Sequence, residues 1–408
     1  MRLQAVLTAA ATALWCLRCS AWNVTRLYGI GPAGPPVRLT DVAVWRNRAY
    51  ACWPRLDASQ PVTLLELPWP ETTDQQLRAP PGFGSAWKPR GPFRADQQEL
   101  EDCRRIQSAV AIDLDKIRWH LYVLDSGGYE INNCRPKIIV YDLKTYKRVR
   151  TVDLDGLNGW ELSALVVDAR PFKGETRAYA GNTRGGYLAV IDPDRGVWHR
   201  LALQSCPPVP SLDQERRPQN SDGVTEDPDQ VLGPGRDRDA ANEGDRDAER
   251  TPEERDVPAE CVAVSRLWSS VFFTSARSHD LYSASFRDLR NLTSYINAAG
   301  VKNGDVLPRE LQVYRNGVKL GSSSGLYADI QGGLNYVFTR DFVAVRSSPG
   351  VGSDVAENHR VLLQSCDLLP EVTKIFTDNA NYLQVWALNA VPNGENRHSV
   401  KINKLNKF

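Results

Sequence analysis

One unit recurs along this chain and constrains its fold more than any other feature. A short apolar strand is followed by a polar turn, and then by a second strand carrying an aromatic residue. Asp41-Val42-Ala43-Val44 leads to Ala49-Tyr50-Ala51-Cys52-Trp53, and Ser108 to Asp113 leads to Leu121-Tyr122-Val123-Leu124-Asp125. Ser163 to Asp168 leads to Ala178-Tyr179-Ala180-Gly181-Asn182, and Cys261 to Val264 leads to Val271-Phe272-Phe273-Thr274-Ser275. Gly325 to Asp329 leads to Asn335-Tyr336-Val337-Phe338-Thr339, and Glu371 to Ile375 leads to Leu383-Gln384-Val385-Trp386-Ala387. Further strands follow several copies, as at Pro136 to Asp142, Tyr187 to Asp192 and Asp280 to Ser285.

Six copies of about four strands each, spaced by roughly 40–50 residues plus insertions, predict an all-β six-bladed β-propeller. A lone blade exposes two apolar faces. A closed ring of blades buries both and leaves few free sheet edges. Two stacked β domains would also give many short strands, but not the same unit six times. Tyr50, Tyr122, Tyr179, Phe272, Tyr336 and Trp386 are expected between blades. Asp113, Asp168 and Asp329 end first strands and read as turn formers that accept from nearby backbone N–H groups. Gly185-Gly186 and Gly332-Gly333 read as hairpin turns.

The chain starts Met1-Arg2, runs apolar from Leu3 to Leu17 and reaches Cys19-Ser20-Ala21, the pattern of a secretory signal peptide over residues 1–21. The propeller is then a single domain over 22–408, secreted and extracellular. Residues 207–260 interrupt the repeat with a stretch rich in Asp, Glu, Arg, Pro and Gly. So little apolar content cannot offset the entropy of ordering, which predicts a disordered loop inserted between the third and fourth copies. The formal net charge is +1. With no basic stripe along the sequence, nucleic acid is not an expected partner. No later segment is apolar enough to suggest a membrane partner.

Of eight cysteines, Cys16 and Cys19 fall in the leader. The even remainder suits disulfides in an oxidising compartment. Cys103 and Cys134 bracket the second strand pair and are expected to bond. Cys206 and Cys261 flank the charged insert, where a bridge would close its base. Cys52 and Cys366 lie in the first and last copies, where a bridge would clasp the ring. Asn23-Val24-Thr25 and Asn291-Leu292-Thr293 are glycan acceptor sequons at Asn23 and Asn291. Among the six cysteines after the leader no pair has CxxC spacing and no His cluster sits beside them to suggest a metal, and no Walker loop and no GxGxxG following a strand suggests a cofactor. The scattered His120, His199, His279, His359 and His398 read as structural. A propeller site instead draws single polar groups from several blades into the central channel, where no local motif reveals them.

The segment Leu121-Tyr122-Val123-Leu124-Asp125-Ser126-Gly127, followed by Cys134-Arg135-Pro136-Lys137-Ile138-Ile139-Val140-Tyr141-Asp142-Leu143, resembles the insect yellow and major royal jelly protein family. That family has an L-W-V-L-D-[ST]-G strand and then C-P-P-K-L-L-V-F-D-L. Collinear matches follow at Ala178 to Asn182, Tyr187 to Asp192, Leu281 to Ala284, Pro370 to Ile375, and Leu383 to Asn389. The resemblance implies a secreted six-bladed propeller associated with cuticle, eggshell or pigment maturation and with catecholamine and melanin chemistry. Some members are dopachrome-converting enzymes, and salivary relatives bind biogenic amines in the channel. By the same resemblance Asn389 matches an amine-binding asparagine, Cys366 aligns with the threonine before the closing P-S-G-L-K-I motif, and Val391 stands where the family has an aromatic. Asn389 and Cys366 are therefore the expected ligand-binding residues, and no catalytic residue is assigned. The expected role is non-catalytic or small-ligand binding, with a dopachrome isomerase or a biogenic-amine binder as the alternatives. The expected partners are an aromatic amine or catechol and extracellular matrix proteins.

Overall fold

A computed structural model describes residues 21–28, 30, 37–56, 58–69, 88–100, 102–128, 134–169, 175–206, 256–294, 301–348, 358–378, 384–389 and 399–407. Residues 1–20 of the expected leader, 207–255 of the charged insert, and Val391 lie outside them.

The strands form six antiparallel blades around one axis. Blade 1 is β2 (Asp41–Trp45), β3 (Arg48–Cys52) and β4 (Leu64–Pro68). Blade 2 is β5 (Ala109–Asp115), β6 (His120–Asp125), β7 (Lys137–Asp142) and β8 (Lys147–Asp153). Blade 3 is β9 (Leu162–Ala169), β10 (Thr176–Asn182), β11 (Tyr187–Asp192) and β12 (Val197–Cys206). Blade 4 is β13 (Cys261–Ser265), β14 (Ser270–Thr274), β15 (Asp280–Ser285) and β16 (Leu311–Val318). Blade 5 is β17 (Ser323–Ala328), β18 (Leu334–Phe338), β19 (Val343–Ser347) and β20 (His359–Gln364). Blade 6 is β21 (Val372–Thr377), β22 (Gln384–Asn389) and β23 (Ser399–Lys407), completed by β1 (Ala21–Asn23) from the other end of the chain. The six sequence copies correspond to the first two strands of the six blades.

The first strands close the ring. β2 packs on β5, β5 on β9, β9 on β13, β13 on β17, β17 on β21, and β21 again on β2. Apolar clusters fill each junction between blades, and the repeat's aromatics sit in them. Tyr50 joins Leu121 and Ile139 between blades 1 and 2, Tyr122 joins Leu165 and Ala178 between blades 2 and 3, and Tyr179 joins Val271 and Phe273 between blades 3 and 4. Phe272 and Tyr336 share the junction of blades 4 and 5. Trp386 packs from the side against the cluster that unites blade 6 with blade 1. Blades 3 and 4 are additionally joined at their outer edges, where β12 and β16 pair in parallel from Leu203↔Leu311 to Cys206↔Tyr314.

The ring is clasped by backbone pairing and not by a disulfide. β1 pairs with β23 in the register Ala21↔Lys401, Trp22↔Val400 and Asn23↔Ser399. Trp22 is buried, donates from Nε1 to the Pro68 carbonyl at 3.1 Å, and meets Trp69 edge to face at 6.1 Å. One short strand thus holds blade 6 against blade 1. The expected Cys52–Cys366 clasp does not form, and both thiols are free. Cys52 is buried in the middle of blade 1, while Cys366 is exposed beyond the outer strand of blade 5, with all of blade 6 between them.

The expected Cys206–Cys261 bridge is also corrected: both are free. Cys206 ends β12 and Cys261 begins β13, and β16, β15 and β14 intervene in the shared sheet. Four steps of about 4.8 Å far exceed the Cα separation of about 7 Å that a disulfide tolerates. Cys103 and Cys134 are bonded as expected, with Cα atoms 5.3 Å apart.

Blade 1 has three strands among the described residues, so β4 is its edge. Helix α1 (Val24–Tyr28) brings a hydroxyl to that edge. Tyr28 Oη accepts from Glu66 N at 2.7 Å and donates to Glu66 O at 3.3 Å. The Glu66 side chain turns inward to Arg48 Nη1 at 2.8 Å and accepts from the Tyr146 hydroxyl at 3.3 Å. Burial pushes its carboxyl up to about 7, and Arg48 opposes the shift.

Two outcomes follow. Trp22→Ala removes the anchor of the closing strand and should lower unfolding stability by about 3–5 kcal/mol, read from denaturant melts. Glu66 has a raised folded pKa, so the folded protein binds the extra proton between about pH 4.5 and about pH 7 and loses stability as pH rises through that window. Against Glu66→Gln, wild type should lose ground by roughly 2 kcal/mol from pH 5 to pH 8, and a constant difference would remove this assignment.

Candidate functional site

The first strands are bonded to one another by polar side chains around the axis. From blade 1 to blade 2, Thr40 donates to Val110 O at 2.9 Å and Asp41 accepts from Ile112 N at 3.0 Å. From blade 2 to blade 3, Asp113 accepts from Val167 N at 2.7 Å. Ser163 then donates to Glu260 O at 2.9 Å, leading toward blade 4. The Cys261 thiol faces the backbone of Leu326 in blade 5. Ser324 donates to Val372 O at 2.6 Å, and Thr373 donates to Leu39 O at 2.9 Å, which returns the circuit to blade 1.

Three ionisable groups meet within this circuit. Lys374 Nζ lies 3.0 Å from Asp41 Oδ1. Burial alone would lower the Lys374 ammonium, but the carboxylates of Asp41 and Asp113 override it and hold it raised. Burial raises the Asp113 carboxyl, and the Val167 and Leu114 amides and Lys374 oppose that rise. The Cys261 thiol, pushed up to about 12 by burial and by Glu260, stays protonated. Tyr327 closes the side toward blade 6 through a 2.7 Å bond between its hydroxyl and that of Thr377.

Asp113 and Lys374 open into a cavity of about 520 Å³ at the end of the channel where the first strands turn back. Leu165, Val167, Val262, Val264 and Leu326 form its apolar walls. The exposed tips Ile117, Leu267 and Ile330 rim its mouth, beside the cations Lys116 and Arg266. A compact ligand with an apolar body could fill the walls while its polar end reached one carboxylate and one ammonium.

The expected ligand residues lie elsewhere. Asn389 is fully buried at the end of β22 and donates to Leu368 O at 3.0 Å. Cys366 is exposed, with its sulfur 3.9 Å from Asp367 Oδ1. Neither lines the cavity. Asn291 is exposed on helix α2 (Phe286–Ser294), which leaves that sequon accessible, and Asn23 belongs to the closing strand. Asp329 is a turn former as expected, accepting from Gln331 N and Gly333 N. Asp168 instead takes a bidentate pair from Arg290 at 2.6 and 2.7 Å, and Asp113 bonds the next blade. Sequence reasoning missed Asp41, Asp113 and Lys374 as a group. Their one signal is a charged residue inside an otherwise apolar first strand.

The motif shared with royal jelly proteins is explained by structure around blade 2. Asp125 is fully buried and accepts from Gln107 N, Ser108 N and Gly127 N. Lys137 sits opposite it in the register of β6 and β7, with Nζ 3.0 Å from its carboxylate. Gly127 has φ +87°, and a Cβ there would lie 2.1 Å from Cys134 O. Aspartate, glycine, cysteine and lysine thus fix one loop against the sheet.

Residues 107–226 match the family model described as "Major royal jelly protein". Over these blades the chain is similar to the major royal jelly proteins. It is 36% identical over 112 residues to major royal jelly protein 3 of Apis mellifera, covering 25% of this chain and 20% of that protein. It is 32% identical over 114 residues to major royal jelly protein 2 of Apis mellifera, covering 25% and 24%. The matches therefore span about a fifth to a quarter of those relatives. Among solved structures, the chain is similar to the Cps50 (Swd1) β-propeller domain of Myceliophteria thermophila, at 10% identity and a TM-score of 0.44, covering 91% of this chain and 98% of that one. A luciferin-regenerating enzyme gives 13% identity and a TM-score of 0.32, covering 73% and 92%.

Lys137→Ala leaves the Asp125 carboxylate buried and uncompensated. It should cost about 3–5 kcal/mol of stability, whereas Arg135→Ala, two residues away on the exposed surface, should stay within about 0.5 kcal/mol. Equal melting temperatures for the two variants would refute the structural reading of the motif.

Proposed function

We propose that this chain is a secreted propeller that binds a small aromatic amine or catechol in its axial cavity and acts in cuticle, eggshell or pigment maturation. The observation that carries the reading is the Asp113 carboxylate beside the Lys374 ammonium, opening together into an apolar-walled space of about 520 Å³. The ring of a ligand would lie against the valine and leucine walls. An amine would pair with Asp113, and catechol hydroxyls would bridge Asp113 and Lys374 as hydrogen-bond donor and acceptor. The leader-like N-terminal run supports secretion, and similarity to the royal jelly proteins supports an extracellular setting.

The same pair favours a second reading, dopachrome isomerisation. A carboxylate with a raised pKa can take a proton from carbon, and a neighbouring ammonium can stabilise the phenolate that develops.

Calorimetric titration with dopamine tests the carrier reading. Wild type should release heat at micromolar protein, and Asp113→Asn should weaken binding by about ten-fold or more, with Cys366→Ala unchanged. Unaltered affinity in Asp113→Asn removes the cavity as the site. Following dopachrome absorbance separates the second reading: turnover above buffer that is lost in Asp113→Asn supports it, and none above buffer excludes it.

A further inference from the structure

The outer edge of blade 2 carries a feature that the axial site does not use. Alongside β8 runs a groove of about 580 Å³, lined by Arg104, Arg135, Arg148 and Arg150 together with the Cys103–Cys134 disulfide. Two of the arginines directly follow the half-cystines in sequence, so the bridge fixes where both leave the backbone. The other two come from β8, whose exposed run Lys147-Arg148-Val149-Arg150 extends the positive charge along the strand. A β-bulge opposite Val140 and Tyr141 twists this stretch, and both Arg148 and Arg150 reach the groove.

The charge there is largely unspent. Arg135 pairs with Asp155 at 2.8 Å, and Arg148 donates to the Arg104 carbonyl. Among the described residues no carboxylate lies within ion-pair distance of Arg104, Arg148 or Arg150. Lys137 also lines the groove, but it is neutralised by buried Asp125. Asp153 is the single acid of the lining. The whole chain has a net charge of only +1, so this is a local concentration of positive charge and not an average property. Linear reading finds no basic stripe because Arg104 and Arg135 are brought to β8 from distant positions.

We infer that this groove binds a sulfated polysaccharide. Guanidinium groups bond sulfate oxygens through two parallel N–H donors, and several held in fixed positions suit a polymer with repeated sulfates better than one small anion. The groove is open and follows an edge strand, so an extended chain can lie along it. Its place on the rim, away from the channel mouth, leaves the axial cavity free.

The test uses the full mature protein on immobilised heparin, with salt-dependent affinity measured in solution. Wild type should be retained at physiological salt and elute as salt rises. Arg148→Ala/Arg150→Ala should elute earlier, and the slope of log affinity against log salt should fall by about two. Arg38→Ala/Arg315→Ala, which removes two exposed arginines elsewhere, should behave as wild type. Wild-type flow-through at physiological salt, or an unchanged slope in the β8 variant with an unchanged melt, overturns the inference. So does tighter binding of poly-glutamate than of heparin, which would assign the groove to an acidic polypeptide. Competition of wild type by dextran sulfate but not by equimolar free sulfate supports it without any variant.

Discussion

Ring closure is the constraint on which everything else rests. Each blade exposes apolar faces that only its neighbours can cover, so five correct junctions leave the sixth as a wide apolar gap. The chain meets that need with residues from its two ends. Three residues of β1 complete the sheet of β21, β22 and β23, and Trp22 is pressed against Trp69 and Pro68. The polar circuit of the first strands depends on the same closure. Thr373 reaches Leu39, and Lys374 reaches Asp41, only when blade 6 meets blade 1.

That dependence links stability to the candidate site. Asp113 is held by amides from two blades, and Lys374 is held by a carboxylate from a third. No blade contains the site by itself. The geometry that would meet a ligand is therefore a property of the assembled ring.

The fold was legible because blade formation is a local matter. Apolar strand, turn and aromatic strand are neighbours in sequence, and all six pairs lie where the repeat put them. Gly332-Gly333 and Asp329 follow turn chemistry that sequence alone specifies. Relations between blades were not legible. Asp113 reads as a turn residue, yet its oxygen bonds Val167 across a junction. The Cys52–Cys366 and Cys206–Cys261 pairings fail for the same reason, since neighbouring blades are near in order while these cysteines sit at different depths within them, whereas Cys103 and Cys134, within one blade, do bond. The royal jelly motif was visible as a string, but its meaning as a buried Asp125–Lys137 lock required the register of β6 and β7.

The seam between blades 3 and 4 bears on how such a chain tolerates a long excursion. The polypeptide leaves β12 at Cys206, where that strand is already paired in parallel with β16, and Arg200 and Trp198 receive further bonds from the stretch around Gly304 to Leu307. The departure point is thus a rim held by strand pairing and backbone bonds from the next blade. Extra sequence can grow or shrink there over evolutionary time, or be exchanged by an engineer for a tag or a cargo, while the wheel keeps its shape.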